Sequence, residues 1–174
     1  MRNGDWMQTI TGRIFWPIDP RPEDVCIEDI AHALSMMCRF NGHCKFFYSV
    51  AEHSVHVSNI CSPENKRWGL LHDATEAYLA DIVRPAKPYI DGYKPAETRL
   101  MIAICKKFGL PEIEPLEVKH ADMAILADEA NQVMGPHPEK WYLPVAPSGS
   151  VILGLAPAKA KQFFLDCAAE LGLG

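Results

Sequence analysis

Stretches with helical apolar spacing alternate along this chain with loops punctuated by proline. Ile27, Ile30, Ala31, Leu34 and Met37 recur at three- and four-residue intervals, which predicts an amphipathic helix over about 25–38. Before it, Trp16-Pro17-Ile18-Asp19-Pro20 reads as a loop held extended by its prolines, and after it 39–48 reads as a loop turning at Asn41-Gly42. Ser49 followed three residues later by Glu52 is a capping-box pattern, and Val50, Val57 and Ile60 carry a second helix to about residue 59. Ser62-Pro63 supplies a cap and a first-turn proline for a longer helix over 64–80. The run 81–88, with Pro85 and Pro88, must be a loop. Residues 95–108 predict a helix closed by Gly109, 114–134 a long one ended by Gly135-Pro136, and 158–171 the last. Residues 45–48 are the sole strand candidate, too isolated for a sheet, so the expected class is all-α: a helical bundle with proline-rich loops.

Composition narrows the classes. At 174 residues the length suits a single domain over 1–174, and 48% hydrophobic with 22% charged residues is ordinary for a globular protein with a core. The net charge of -5 and the lack of a basic patch argue against nucleic acid as a partner. No apolar run approaches the ~20 residues that span a bilayer, so no membrane association is expected. Residues 1–10 show no basic segment followed by an apolar one, and the six cysteines are scattered without a CxxC pair; the expectation is a cytoplasmic protein with reduced thiols.

The unusual counts are 7 His and 14 Pro, and they matter because of where the histidines fall. His53 and His56 lie on one predicted helix, His72 and Asp73 on a second, Asp122 and Asp128 on a third, and a helical bundle can converge such residues in its core. Glu76, four residues after His72 and three after Asp73, shares their helical face and is free to move a proton. An HExxH protease motif is excluded, because Glu52 lies outside the His53/His56 pair. His43 and His120 lie in polar surroundings and read as surface residues. Mixed nitrogen and oxygen ligands suit cobalt, manganese, zinc, iron or nickel better than a magnesium cage, and such metals acidify bound water, which is hydrolase chemistry.

Four strings, Val50-Ala51-Glu52-His53-Ser54, Leu70-Leu71-His72-Asp73-Ala74-Thr75-Glu76, Asp81-Ile82-Val83-Arg84-Pro85-Ala86-Lys87 and Val118-Lys119-His120-Ala121-Asp122, together resemble the HD-domain metal-dependent phosphohydrolases. The likeness is closest to the small 5'-deoxynucleotidase-like branch and its phage-encoded relatives. It implies His53, His72, Asp73 and Asp122 as ligands of a divalent transition metal, with an additional magnesium ion compatible. It implies Glu76 as general acid/base, Arg39 and Lys87 as phosphate ligands, and Asp81 as a residue that orients the sugar or assists proton transfer. A Trp-x-Ile element ahead of the HD region, together with a proline after it, is similar to phage dATP triphosphohydrolases. That similarity gives Trp16, Ile18 and Pro85 a role around the base and has the N-terminal loop 1–24 lining the substrate pocket. The expected function is triphosphohydrolysis of dATP or another dNTP to deoxynucleoside and triphosphate. The alternatives are a 5'-deoxynucleotidase acting on dNMPs and a non-catalytic nucleotide-binding HD module. The resemblance also implies a homo-oligomer, dimer or hexamer, with Phe163, Phe164 and Leu165 as interface candidates, in the cytoplasm (the host's, for a phage-encoded chain).

Overall fold

The computed structural model describes residues 2–139 and 141–174. Among them a short hairpin, β1 (Met7–Gln8) and β2 (Ile14–Phe15), precedes seven helices: α1 (Ile27–Met36), α2 (Val50–Ile60), α3 (Lys66–Leu71), α4 (Glu76–Leu79), α5 (Tyr93–Phe108), α6 (Leu116–Gln132) and α7 (Pro157–Glu170). Single 3-10 turns occupy Pro22–Asp24 and Lys87–Tyr89, and Arg39–Gly42 is a turn in which Phe40 and Asn41 take left-handed φ of 54° and 53°. The class is mostly-α, with helix boundaries close to those that the apolar spacing predicts. Among the described residues no helix is long and apolar enough to cross a membrane.

Helix α2 is the axis of the fold. Every residue from Val50 to Ser58 is buried, because α1, α3, α6 and α7 all pack around it. Such a helix must satisfy its polar side chains internally. Ser49 caps it by accepting from the Glu52 amide at 3.1 Å, Ser54 donates to the Val50 carbonyl at 2.9 Å, and Ser58 donates to the Lys66 carbonyl at 2.8 Å. Glu52 accepts the backbone amides of Leu153, Gly154 and Leu155 at 2.7, 3.0 and 2.7 Å, tying the segment before α7 to the core. At Gly69, α3 comes so close that a Cβ would stand 3.0 Å from the Ser58 Cα and 3.1 Å from the Cys61 sulfur. The main core joins Phe15, Ile30, Leu34, Leu70, Leu100 and Phe164, and a second cluster of Val57, Trp68, Cys105 and Ile125 lies between α2, α5 and α6. Each fully buried aliphatic or aromatic side chain contributes roughly 1.5–3 kcal/mol.

Three expectations need correction. Residues 45–48 form no strand; the strands lie at 7–8 and 14–15, too short for alternation to reveal, and Phe15 anchors them by stacking on Tyr78 with centroids 3.8 Å apart. Phe164 is fully buried in the core and so is no interface residue, while Phe163 and Leu165 are only partly buried against the same core. The helix expected over 64–80 is broken. α3 stops at Leu71, and 72–75 turn with i-to-i-3 hydrogen bonds from Ala74 to Leu71 and from Glu76 to Asp73 before α4 begins. The cause is local: the His72 Nδ1 donates to the Gly69 carbonyl at 2.7 Å, and that carbonyl is the acceptor the Asp73 amide needs for the helix to continue.

Candidate metal centre

The break in the helix turns His72 toward α2. Its Nδ1 is bound to a carbonyl oxygen, so the proton sits on Nδ1 and the Nε2 lone pair faces inward. His53, fully buried on α2, repeats the arrangement with its Nδ1 2.7 Å from a carboxylate oxygen of Glu129 on α6. The two Nε2 atoms then face each other at 3.2 Å. Two lone pairs held this close repel unless a proton or a metal cation lies between them. Asp122 Oδ1 is 3.3 Å from the His53 Nε2, while Asp73 Oδ2 is 3.2 Å from the His72 Nε2 and 3.7 Å from the His53 Nε2. His53, His72 and Asp122 present ligand atoms all within 4.8 Å of one another, and this His-His-Asp cluster could hold a metal ion, with the Asp73 carboxylate beside it. Nitrogen and oxygen donors with outer hydrogen bonds to a carboxylate and a carbonyl are the usual construction of a transition-metal site.

The electrostatics fit a cation. Burial works against ionisation of Asp73, but His72 and Arg39 outweigh it and hold its carboxyl well below the usual range. Asp122 is depressed likewise, against burial, through His53. Burial disfavours the His72 imidazolium, yet Asp73 and Asp122 push its pKa up to about 9, so in metal-free protein a proton takes the place of the cation.

Glu76, at the start of α4, behaves in the opposite way. It is 5% exposed, and burial, then Asp73 and Asp81, push its pKa up to about 9 even though the Lys87 Nζ lies 3.3 Å from Oε1. Its Oε2 has no hydrogen-bond partner among the described residues. A buried carboxyl of raised pKa, half unpartnered and beside a cation site, is placed to exchange protons with something in the adjoining space.

That space is a cavity of about 450 Å³, within the small-molecule range. Arg39, Glu76, Asp81, Pro85 and Lys87 line it together with Asp73 and Asp122, so seven of the expected site residues are gathered there. Arg39 reaches it from the start of a left-handed turn, pinned by its own amide to the Tyr48 carbonyl at 2.9 Å. Its guanidinium lies 2.9 Å from Glu129 Oε2 and 3.6 Å from Asp73 Oδ2. Beyond Asp122, whose carboxylate pairs with Arg84 at 3.2 Å, a larger groove of about 1010 Å³ opens past Lys94 and Lys119.

Trp16 and Ile18 are not brought to the site. Neither lines the cavity or the groove: Trp16 lies under the Arg2 guanidinium at 4.3 Å, and Ile18 packs near Gly4. The apolar walls of the cavity come instead from Phe40 and Trp141, centroids 6.4 Å apart, with Leu126 and Met134. Phe40 follows Arg39 directly, and no periodicity marks either ring. The other histidines divide: His43 is exposed at the cavity rim, His120 is exposed along the groove, and His56 is buried 3.5 Å from Glu52. Asp128 is excluded as a ligand, since it accepts from the backbone of Ser148, Gly149 and Ser150. Sequence reasoning missed Glu129. The one signal for it is its spacing of seven residues from Asp122, two turns along the same face of α6.

No family model matches the chain. It is 36% identical over 164 residues to the "Uncharacterized protein YfdR" of Escherichia coli (strain K12), covering 92% of each. It is 39% identical over 144 residues to the "Uncharacterized protein RCAP_rcc00048" of Rhodobacter capsulatus, covering 75% of this chain and 74% of that one. At such identity over nearly its whole length, the chain belongs to the family of YfdR.

Proposed function

We propose that this protein is an HD-domain phosphohydrolase that cleaves deoxynucleotides at the phosphorus nearest the sugar. One observation carries the reading: two imidazole lone pairs and a carboxylate converge on one point, beside a buried carboxyl of raised pKa and two cations that line the same cavity. A divalent transition metal (cobalt, manganese, zinc, iron or nickel) held by His53, His72, Asp73 and Asp122 would supply Lewis acidity and acidify water at neutral pH.

The chain's own residues supply the rest. Arg39 and Lys87 offset the charge that a phosphoryl group develops on its oxygens. Glu76 takes the proton from the attacking water and returns it to the 5' oxygen as that oxygen leaves. Asp81 borders the same space and, after burial and Asp73, holds the Glu76 pKa up in the metal-free protein; a divalent cation at the adjoining cluster would draw it down and leave the carboxylate able to take that proton. Phe40 and Trp141 offer stacking surfaces that accept any base, and Pro85 narrows the cavity. The preference for adenine expected from Trp16 and Ile18 loses its support, so the proposal extends to deoxynucleotides generally.

The groove past Arg84, Lys94 and Lys119 has room for a polyphosphate tail with its magnesium; these cations are paired with Asp122, Glu97 and Glu114, so it is the room and the family resemblance, not a surplus of positive charge, that support the triphosphate as substrate. Water then adds to the α-phosphorus, the bond to the 5' oxygen breaks, and deoxynucleoside and inorganic triphosphate leave. The test is incubation of purified protein with a panel of dNTPs and dNMPs plus manganese or cobalt, with chromatography of the released phosphate. Triphosphate is the expected product. Orthophosphate from dNMPs alone makes the protein a monophosphatase, and release from no nucleotide refutes the hydrolase reading.

A further inference from the structure

We infer that Glu129 is a positioning residue that locks a metal ligand and the phosphate-binding arginine into one unit, so that cation and oxyanion are bound interdependently. The inference rests on the reading of the site given above and goes beyond it by assigning a residue outside the metal and substrate contacts.

Glu129 is fully buried, and its two oxygens are divided between two partners. Oε1 holds the His53 Nδ1 at 2.7 Å and Oε2 holds the Arg39 Nη2 at 2.9 Å. The first contact fixes the imidazole tautomer, because only a protonated Nδ1 donates to a carboxylate, and this leaves the Nε2 lone pair for a cation. The second fixes the guanidinium, whose other edge lies 3.6 Å from Asp73 at the cavity wall. Moving Glu129 therefore moves both functions.

Charge gives the same result. A divalent cation and the Arg39 guanidinium side by side carry three positive charges, and Asp73, Asp122 and Glu129 are the carboxylates in contact with them or with their ligands; Asp122 is shared with Arg84, and Glu129 is the one that is fully buried. Without the Glu129 charge, metal and Arg39 repel across a low dielectric, and occupancy of one opposes correct placement of the other. Asp122 and Glu129 stand two turns apart on α6, so one rigid helix sets both the ligand and the counter-charge.

The experiment uses metal-stripped full-length protein. Cobalt(II) is titrated into wild type, Glu129→Gln and Glu129→Asp, followed by the visible cobalt spectrum and by calorimetry; inorganic phosphate is then titrated into the cobalt-loaded proteins. Gln has the same shape but one acceptor oxygen, so it can satisfy His53 or Arg39 and must present its amide N–H to the other. The expected result is a loss of cobalt affinity on the order of 10–100-fold, a shifted cobalt spectrum and weakened phosphate binding. Asp keeps the charge but is one methylene too short for both partners, so it restores one of the two affinities and not the other. Wild-type affinities and spectrum in Glu129→Gln overturn the inference, as does full rescue of both affinities by Glu129→Asp. Both results leave the metal reading standing. Wild-type protein that takes up no cobalt instead overturns the metal reading and this inference with it.

Discussion

Replacing Glu76 by glutamine should make the protein more stable and inactive at once. The side chain is 5% exposed, and its pKa stands at about 9 against 4.5 for an ordinary glutamate, chiefly through burial and then through Asp73 and Asp81. Between those two values the unfolded chain carries an ionised carboxylate and the folded one a protonated carboxyl, so folding takes up a proton and stability falls as pH rises. Below 4.5 both states hold the proton and the cost vanishes. At pH 7 the gap of about 2.5 pH units, at ~1.36 kcal/mol each, sets an upper bound of roughly 3 kcal/mol on this cost. Glutamine has the same shape and no charge to lose, but it gives Lys87 a poorer partner at 3.3 Å. A net gain of about 1–3 kcal/mol remains, or ~3–10 °C in Tm for a chain of this length. The assay is thermal and urea unfolding of both proteins in chelator at pH 5 and pH 7.5, beside nucleotide hydrolysis with metal restored. The difference should be small at pH 5 and clearly larger at pH 7.5, still growing toward pH 9, with no turnover in the variant. A variant no more stable than wild type at pH 7.5, or a gap independent of pH, would refute the reasoning.

Other sites make separate predictions. Arg39→Met should cost about 3 kcal/mol at pH 7, because it strips the buried Glu129 of its counter-ion; Glu129 stands at about 2 because Arg39 and His53 outweigh its burial. That stabilisation is present above pH 4.5 and lost as pH falls toward 2, so acid unfolding curves of variant and wild type should converge there. Glu52→Ala should cost roughly 2–4 kcal/mol and remove hydrogen-exchange protection at Leu153, Gly154 and Leu155, whose amides it accepts; unchanged protection would contradict the clamp. Gly69→Ala should destabilise by about 1–3 kcal/mol in spite of better helix propensity, since the new Cβ meets the Ser58 Cα at 3.0 Å. A Tm equal to wild type would mean that α3 can shift without cost.

What was legible in the sequence was whatever a helix repeats. Apolar spacing located α1, α2, α5, α6 and α7 because each buries one stripe or, for α2, all of its surface. His53, His72, Asp73, Asp122 and Glu76 were legible as chemistry, and Arg39 and Lys87 through the family resemblance; the structure brings His53 and His72 to Asp122 and lines the adjoining cavity with the rest. The break at 72–75 was not, since it turns on one side chain bonding to the Gly69 carbonyl, an event without periodicity. Trp16 was misplaced because prolines describe the stiffness of a loop and not its direction, and Arg2 covers the ring. Glu129 reads as an ordinary helix residue until Arg39 arrives from 90 positions earlier.

That separation also bears on how the protein folds. His53 meets His72 across 19 residues but meets Glu129 across 76, so the cluster cannot assemble from a short local fragment. Loop-closure entropy makes such long-range contacts late ones, and α6 must dock on α2 before its carboxylates reach the imidazoles. A ligand of this cluster therefore binds the native chain and not the coil, and its free energy adds wholly to the native state. A rapid-mixing experiment that follows cobalt colour during refolding would time the last docking step of the whole molecule.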